Sequence, residues 1–397
     1  MKRTAFSGNG CCRTGRFAAA ALVFAAIVAS SLAGMPSAAR PIGVFDSGTG
    51  GLTVLERLLA SDAFDNATGE QRPDGKPDFS SESFVYFGDQ ANMPYGMYDA
   101  EGKADFLREL VVRDARFMLD PARHPPAKII VIACNTATAY GLDAAAETAR
   151  PEDVKVIGVV NAGVAAAMDA LDAKRGMPPF AVAVMATPGT IASGVYERTI
   201  RAELAARGIE GCETVNRGGV GLAEAVENDE PGVDECARTN FVAMIESYRA
   251  RGGKAPVRAV ILGCTHYPFV LPAFKRALAS IRADEKYAGL LADDVVFVDP
   301  AVYTAIQCYR TLKRDGMLGE EGPGSGRVSA FISVGRNGPL SHAEKYGRPT
   351  GLTDIGTDIV PMDGRTMSAD AAKRLASLLP ESFSRIFKEG RNGKDDE

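Results

Sequence analysis

Tryptophan is absent from this 397-residue chain and histidine occurs only three times. A metal centre built from imidazoles has almost no material to work with, and none is expected. Cysteine is sparse as well. Cys11 and Cys12 lie near the start, and Cys134, Cys212, Cys236, Cys264 and Cys308 are scattered through the rest. Five scattered cysteines are not a disulfide framework. No C-x-x-C pair exists, which removes zinc ribbons and thioredoxin-type chemistry. There is no long basic run and the net charge is −5, so nucleic acid is not an expected partner. Beyond residue 40 no apolar run reaches the ~20 residues that span a bilayer.

The first 40 residues are built differently. Lys2, Arg3, Arg13 and Arg16 form a positive leader, residues 17–32 are uncharged and mostly Ala, Val, Leu and Ile, and Ser37-Ala38-Ala39 offers small residues for cleavage, with Ala33 an alternative. This is the layout of a signal peptide over residues 1–39. It predicts export, to a periplasm, with no stable membrane contact after cleavage. An uncleaved membrane anchor is the alternative. Cys11 and Cys12 precede the apolar run, so neither occupies a lipid-attachment position after it.

From residue 41 short apolar runs alternate with amphipathic stretches. Strands are expected at 42–45, 84–87, 128–133, 154–160, 180–185, 257–262, 295–298 and 328–334. Their β-branched runs without polar alternation indicate burial on both faces, and alternation with helices indicates parallel α/β sheets. Residues 62–82 read as a polar surface insertion, 319–326 as a linker and 335–358 as a loop. A helix is expected over 369–386, then a charged tail. The predicted fold is α/β, with two similar doubly wound parallel-sheet domains and the active site in the cleft between them. Residues 40–137 would form the first lobe, carrying the insertion, and 138–268 the second. Residues 269–397 would return to the first lobe and add a C-terminal extension.

One internal echo carries the chemistry. Ile129-Ile130-Val131-Ile132-Ala133-Cys134-Asn135-Thr136 is an apolar strand ending in cysteine and two polar residues, and Ala259-Val260-Ile261-Leu262-Gly263-Cys264-Thr265-His266 repeats the design 130 positions later. Ligands of open α/β sheets bind beyond the carboxyl ends of the strands, so two lobes packed with those ends converging bring both thiols to one cleft. A lone cysteine after a strand is more often a buried small hydrophobe, and Cys212, Cys236 and Cys308 are read that way. The matched pair suits racemisation, which removes a Cα proton from one face and returns one to the other. A thiol of ordinary pKa ~8.5 can be tuned to serve as base or acid. Asn135, Thr136 and Thr265 stand beside the thiols as donors for the charge that develops. His266 is placed to orient or protonate a group near Cys264, whereas His124 and His342 read as incidental.

The first strand runs into Asp46-Ser47-Gly48-Thr49-Gly50-Gly51, a Gly-rich turn before a helix. Such a turn holds small anions, and it matches neither the dinucleotide fingerprint nor a Walker loop. Asp46 there either tunes a thiol or caps the helix. Met93-Pro94-Tyr95-Gly96 and Thr187-Pro188-Gly189-Thr190 each follow a strand, and either offers hydroxyl and amide donors to a carboxylate.

Asp46 to Leu55, Pro94-Tyr95-Gly96, Ala133-Cys134-Asn135-Thr136-Ala137 and Gly263-Cys264-Thr265-His266-Tyr267-Pro268 together resemble the glutamate racemases of the aspartate/glutamate racemase superfamily, in the same order, over roughly residues 41–318. The resemblance implies a two-base mechanism with Cys134 and Cys264 as the acid–base residues, and no pyridoxal phosphate, metal or other cofactor. It implies that Asp46 assists Cys134 and that His266 assists Cys264. It places Asp46, Ser47, Tyr95, Gly96, Asn135, Thr136, Thr190, Thr265 and His266 along the substrate, with Glu227 as an acidic residue near the site. The substrate would be glutamate, or aspartate as a near variant, and the role D-glutamate supply for peptidoglycan. A homodimer is left open. Two other readings compete: a superfamily isomerase or decarboxylase of small dicarboxylates, and an exported, non-enzymatic amino-acid-binding protein.

Overall fold

The computed structural model describes residues 36–173, 178–227, 231–322, 325–367 and 369–387. The basic leader, its apolar run and the charged tail after residue 390 lie outside the described residues. The chain opens with β1 (Ile42–Asp46), α1 (Leu52–Ala60), β2 (Phe84–Gly88), α2 (Gly96–Ala100), α3 (Ala104–Met118), β3 (Ile129–Ile132), α4 (Asn135–Ala149), β4 (Lys155–Gly158) and α5 (Val159–Ala173). It continues through β5 (Phe180–Ala186), α6 (Pro188–Ala192), α7 (Val195–Ala206), β6 (Cys212–Gly218), α8 (Leu222–Glu227), α9 (Val233–Ala250), β7 (Val257–Gly263), α10 (Leu271–Arg282) and β8 (Leu291–Val298). It closes with α11 (Pro300–Arg314), β9 (Val328–Gly335), α12 (His342–Tyr346), β10 (Thr357–Pro361), α13 (Ala369–Leu378) and α14 (Pro380–Phe387).

Two sheets result. One has six strands in the order β10-β9-β2-β1-β3-β4, the other four in the order β6-β5-β7-β8. Every pairing is parallel except β9 with β10. Strands β1, β2, β3 and β5 are buried at every residue, as strands covered by helices on both faces should be. The covering helices bury one stripe each: Leu52, Val54, Leu55, Leu58 and Leu59 on α1, and Ala273, Phe274, Ala277, Leu278 and Ile281 on α10.

The lobe boundaries differ from those expected. β4 lies beyond residue 138 yet joins the first sheet, and β8 lies beyond residue 268 yet joins the second. In each lobe the cysteine ends an inner strand, and a crossover helix must deliver one more parallel neighbour before the sheet is complete. The apolar run at 154–160 is a strand only to Gly158, and Val159 opens α5, because a short apolar run fits either element. β6 went unanticipated. It is a polar edge strand in which only Val215 is buried. The expected helix over 369–386 divides at Pro380, which begins α14 where its missing N–H costs nothing. The 335–358 loop contains α12, with a Ser341–Glu344 capping box, and its end forms β10. The 62–82 insertion is anchored rather than loose. Phe64 stacks on Tyr309 with ring centroids 4.2 Å apart, Asp78 accepts from the Ala63 and Phe64 N–H groups, and Glu82 pairs with buried Lys128 at 2.6 Å. Among the described residues no helix is long and apolar enough to cross a membrane.

Candidate active site

Register alone places Asp46 beside Cys134. Phe45 aligns with Ile132 across β1 and β3, and Ala133 N–H donates to Phe45 C=O at 2.8 Å. Asp46 therefore leaves the sheet level with Ala133, one residue before the thiol. Its Oδ2 accepts from Gly48 N–H at 3.0 Å and Gly51 N–H at 3.1 Å, which folds the Gly-rich turn around the carboxylate. The carboxylate thus shapes the turn beside the thiol, while α1 itself starts at Gly51 with no side-chain cap. Cys134 is the N-cap of α4: its Sγ accepts from Ala137 N–H at 3.4 Å and lies 3.6 Å from Ser47 Oγ. Tyr86, on β2, donates to Gly48 C=O at 2.6 Å and steadies the same turn.

The electrostatics of this pair follow from burial. Desolvation raises the Asp46 carboxyl from 3.8 to about 6, outweighing the N–H groups that favour its charge and the hydrogen bond from Cys134. Desolvation and then the Asp46 charge push the Cys134 thiol up to about 12, against the opposing pull of the Ala137 N–H. At neutral pH the pair is therefore a thiol donating to a carboxylate. Moving that one proton across gives a thiolate beside a carboxylic acid.

Cys264 follows β7, and His266 Nδ1 lies 3.8 Å from its Sγ. The loop is clamped from below by buried Tyr267, whose hydroxyl reaches Ala186 C=O and Gly219 C=O at 3.3 Å each. The two halves meet at Gly50. A methyl group built there would lie 3.0 Å from Thr265 Oγ1, 3.7 Å from Asp46 Oδ2 and 3.7 Å from His266 Cε1. Asp46 beside one thiol and His266 beside the other therefore face one point, where a methyl group would be tight only against Thr265. A cavity of about 240 Å³ opens alongside, with Asn135 of the first lobe and Cys264 and Thr265 of the second in its wall.

The remaining candidates divide. Gly96 meets Gly189 across the lobes, with a built Cβ on Gly189 3.2 Å from Gly96 Cα. Thr190 is buried on α6, its Oγ1 3.0 Å from that of Thr187. Thr136 is buried in the first turn of α4. Tyr95 is buried with its hydroxyl 2.6 Å from Asp89 and 2.9 Å from Asp114, which leaves the backbone at 95–96 as the part that faces α6. One hydroxyl has one proton, so one of those acids is protonated; burial raises both, Asp114 the further. Glu227 ends α8, and its side chain lies outside the described residues. Sequence reasoning passed over Tyr86, Asp89, Asp114 and Tyr196. Asp89 follows β2 as Asp46 ends β1, a signal that was available. Tyr86 lay inside an expected buried strand, and Tyr196 carried no local signal. None of the five described cysteines is in a disulfide.

The family model for Asp/Glu/hydantoin racemases matches residues 81–301. A glutamate racemase of Chlorobaculum parvum is 30% identical over 286 residues, covering 72% of this chain and 84% of that protein. One of Cereibacter sphaeroides is 33% identical over 263 residues, covering 64% and 83%. Among solved structures, glutamate racemase from Francisella tularensis in complex with D-glutamate matches with a TM-score of 0.53 at 25% identity, covering 74% of this chain and 88% of that one.

Proposed function

The chain belongs to the Asp/Glu/hydantoin racemase family, and from that premise we propose that it interconverts L- and D-glutamate by proton transfer between two cysteines on opposite faces of the substrate. The observation that carries this reading is the meeting of Asp46 and His266 at Gly50, each within 3.7 Å of one point and each adjoining its own cysteine.

In one direction the thiolate of one cysteine takes the Cα proton, and the thiol of the other supplies a proton to the opposite face. The reverse reaction exchanges the roles. Only protons move, so two thiols and their partners suffice. Cys134 needs help to ionise, because burial holds it protonated. Asp46 is positioned to take that proton, and the substrate ammonium entering a desolvated pocket favours the anionic sulfur further. Charge developing on the substrate carboxylate falls to Asn135, Thr136 and Thr265.

Incubation of the purified chain with L-glutamate in D2O is expected to give Cα-deuterated glutamate and D-glutamate together, with slower turnover of aspartate. Absence of both products from every acidic amino acid would defeat the reading. The leader at 1–39 supports export, whereas precursor supply for peptidoglycan requires the enzyme inside the cell. Racemase activity in fractions from cells producing the full chain decides between them.

A further inference from the structure

Tyr196 belongs to the second lobe but bonds to the first. It sits on α7, 1% exposed, and its hydroxyl donates to Asn135 Oδ1 at 2.8 Å. Its ring lies against Gly263, the residue before Cys264: a Cβ there would be 2.7 Å from Tyr196 Cε2. One side chain therefore touches the strand end that carries one cysteine and the residue that follows the other. Burial and then the nearby Cys264 and Asp299 charges push the Tyr196 hydroxyl above its usual range, so it remains a donor.

An asparagine amide has an accepting and a donating end. With Oδ1 taken by a donor, the amide is fixed in one of its two flips. Its Nδ2 makes no hydrogen bond among the described residues, and the side chain lines the cavity shared with Cys264. We propose that Tyr196 is a positioning residue: its hydroxyl, donating across the lobes, holds Asn135 with its NH2 group toward a substrate carboxylate and ties that orientation to the contact between the lobes. The inference rests on the racemase reading. Without the hydroxyl the amide is free to turn, and a flipped amide presents an oxygen to the carboxylate it should bind.

The test is a double-mutant cycle on the full chain. Tyr196→Phe keeps the ring and is expected to raise KM for glutamate about tenfold while kcat changes less than about threefold. In an Asn135→Ala background the same substitution is expected to add less than about twofold. Equal losses in both backgrounds, or none in either, overturn the proposal. Asn135→Asp tests it without touching Tyr196: one carboxylate oxygen accepts from the hydroxyl and the other faces the substrate. KM should rise well beyond that of Asn135→Ala, and equal values overturn the proposal. A wild-type chain that turns over no acidic amino acid overturns the functional reading and this inference with it. Turnover with an uncoupled Tyr196 overturns the inference alone.

Discussion

Beside Cys134 the adjoining strand supplies a carboxylate, Asp46; beside Cys264 the corresponding position is Ala186. The registers make the comparison direct, since Phe45 aligns with Ile132 in one lobe and Ala186 with Gly263 in the other. In the second lobe the titratable neighbour comes instead from the cysteine's own loop: His266 Nδ1 lies 3.8 Å from Cys264 Sγ, where the first lobe has Thr136. Two halves with the same strand-end design have thus reached the same pairing by different routes. The first route seals a carboxyl and a thiol together. The second sets a half-buried imidazole beside a thiol on the cavity wall.

The largest effects test whether both halves are needed. Cys134→Ala and Cys264→Ala are each expected to lower kcat for racemisation at least ~10³-fold, the upper part of the range for a lost general acid or base. A variant retaining a tenth of wild-type turnover would make the lobes unequal partners. Next comes Asp46→Asn, expected to lower kcat/KM by ~10²-fold. The same substitution carries a stability signature. The folded carboxyl, raised to about 6, keeps a proton that the unfolded chain releases near 3.8. Stability from this group is therefore greatest below about pH 4 and declines as pH rises towards 6. Asp46→Asn should remove that decline and stabilise the chain at pH 7 by roughly 1–3 kcal/mol, measured by denaturant titration at pH 4 and pH 7. In the wild type, kcat/KM should fall as pH drops through about 6 and Asp46 becomes protonated.

His266→Gln is expected to cost ~10-fold. Mirror-image substrates have equal free energy, so kcat/KM must fall equally in both directions, and the asymmetry between lobes should show in the Cα-deuterium isotope effect. A larger isotope effect in one direction only is the expected result. The smallest effect belongs to the meeting point: Gly50→Ala puts a methyl 3.0 Å from Thr265 Oγ1 and should raise KM about threefold, through a displacement costing under ~1 kcal/mol.

The same contrast explains what was legible in the sequence. The cysteine strands were readable because buried parallel strands write themselves as unbroken apolar runs, and the polar residues after them mark the strand ends. Asp46 was readable from the turn it enters. The lobe boundaries were not, since β4 and β8 are short strands that join their sheets only after a crossover, and their membership depends on pairing rather than composition. β6 is an edge strand whose polar residues resemble a loop. Tyr196 donates to Asn135, 61 residues away, and a lone aromatic on an amphipathic helix looks like core until its hydroxyl is seen to leave it. Tyr95 shows the converse: expected along the substrate, it has its hydroxyl between Asp89, which its place after β2 signalled, and Asp114, which only the packing of α3 brings there.

The central claim is one base for each face, and solvent exchange in the single-cysteine variants tests it most directly. Each variant, incubated separately with L- and D-glutamate in D2O, should lose racemisation but retain Cα exchange from one enantiomer, opposite for Cys134→Ala and Cys264→Ala. Exchange of the same enantiomer by both variants, or undiminished racemisation in either, would contradict it.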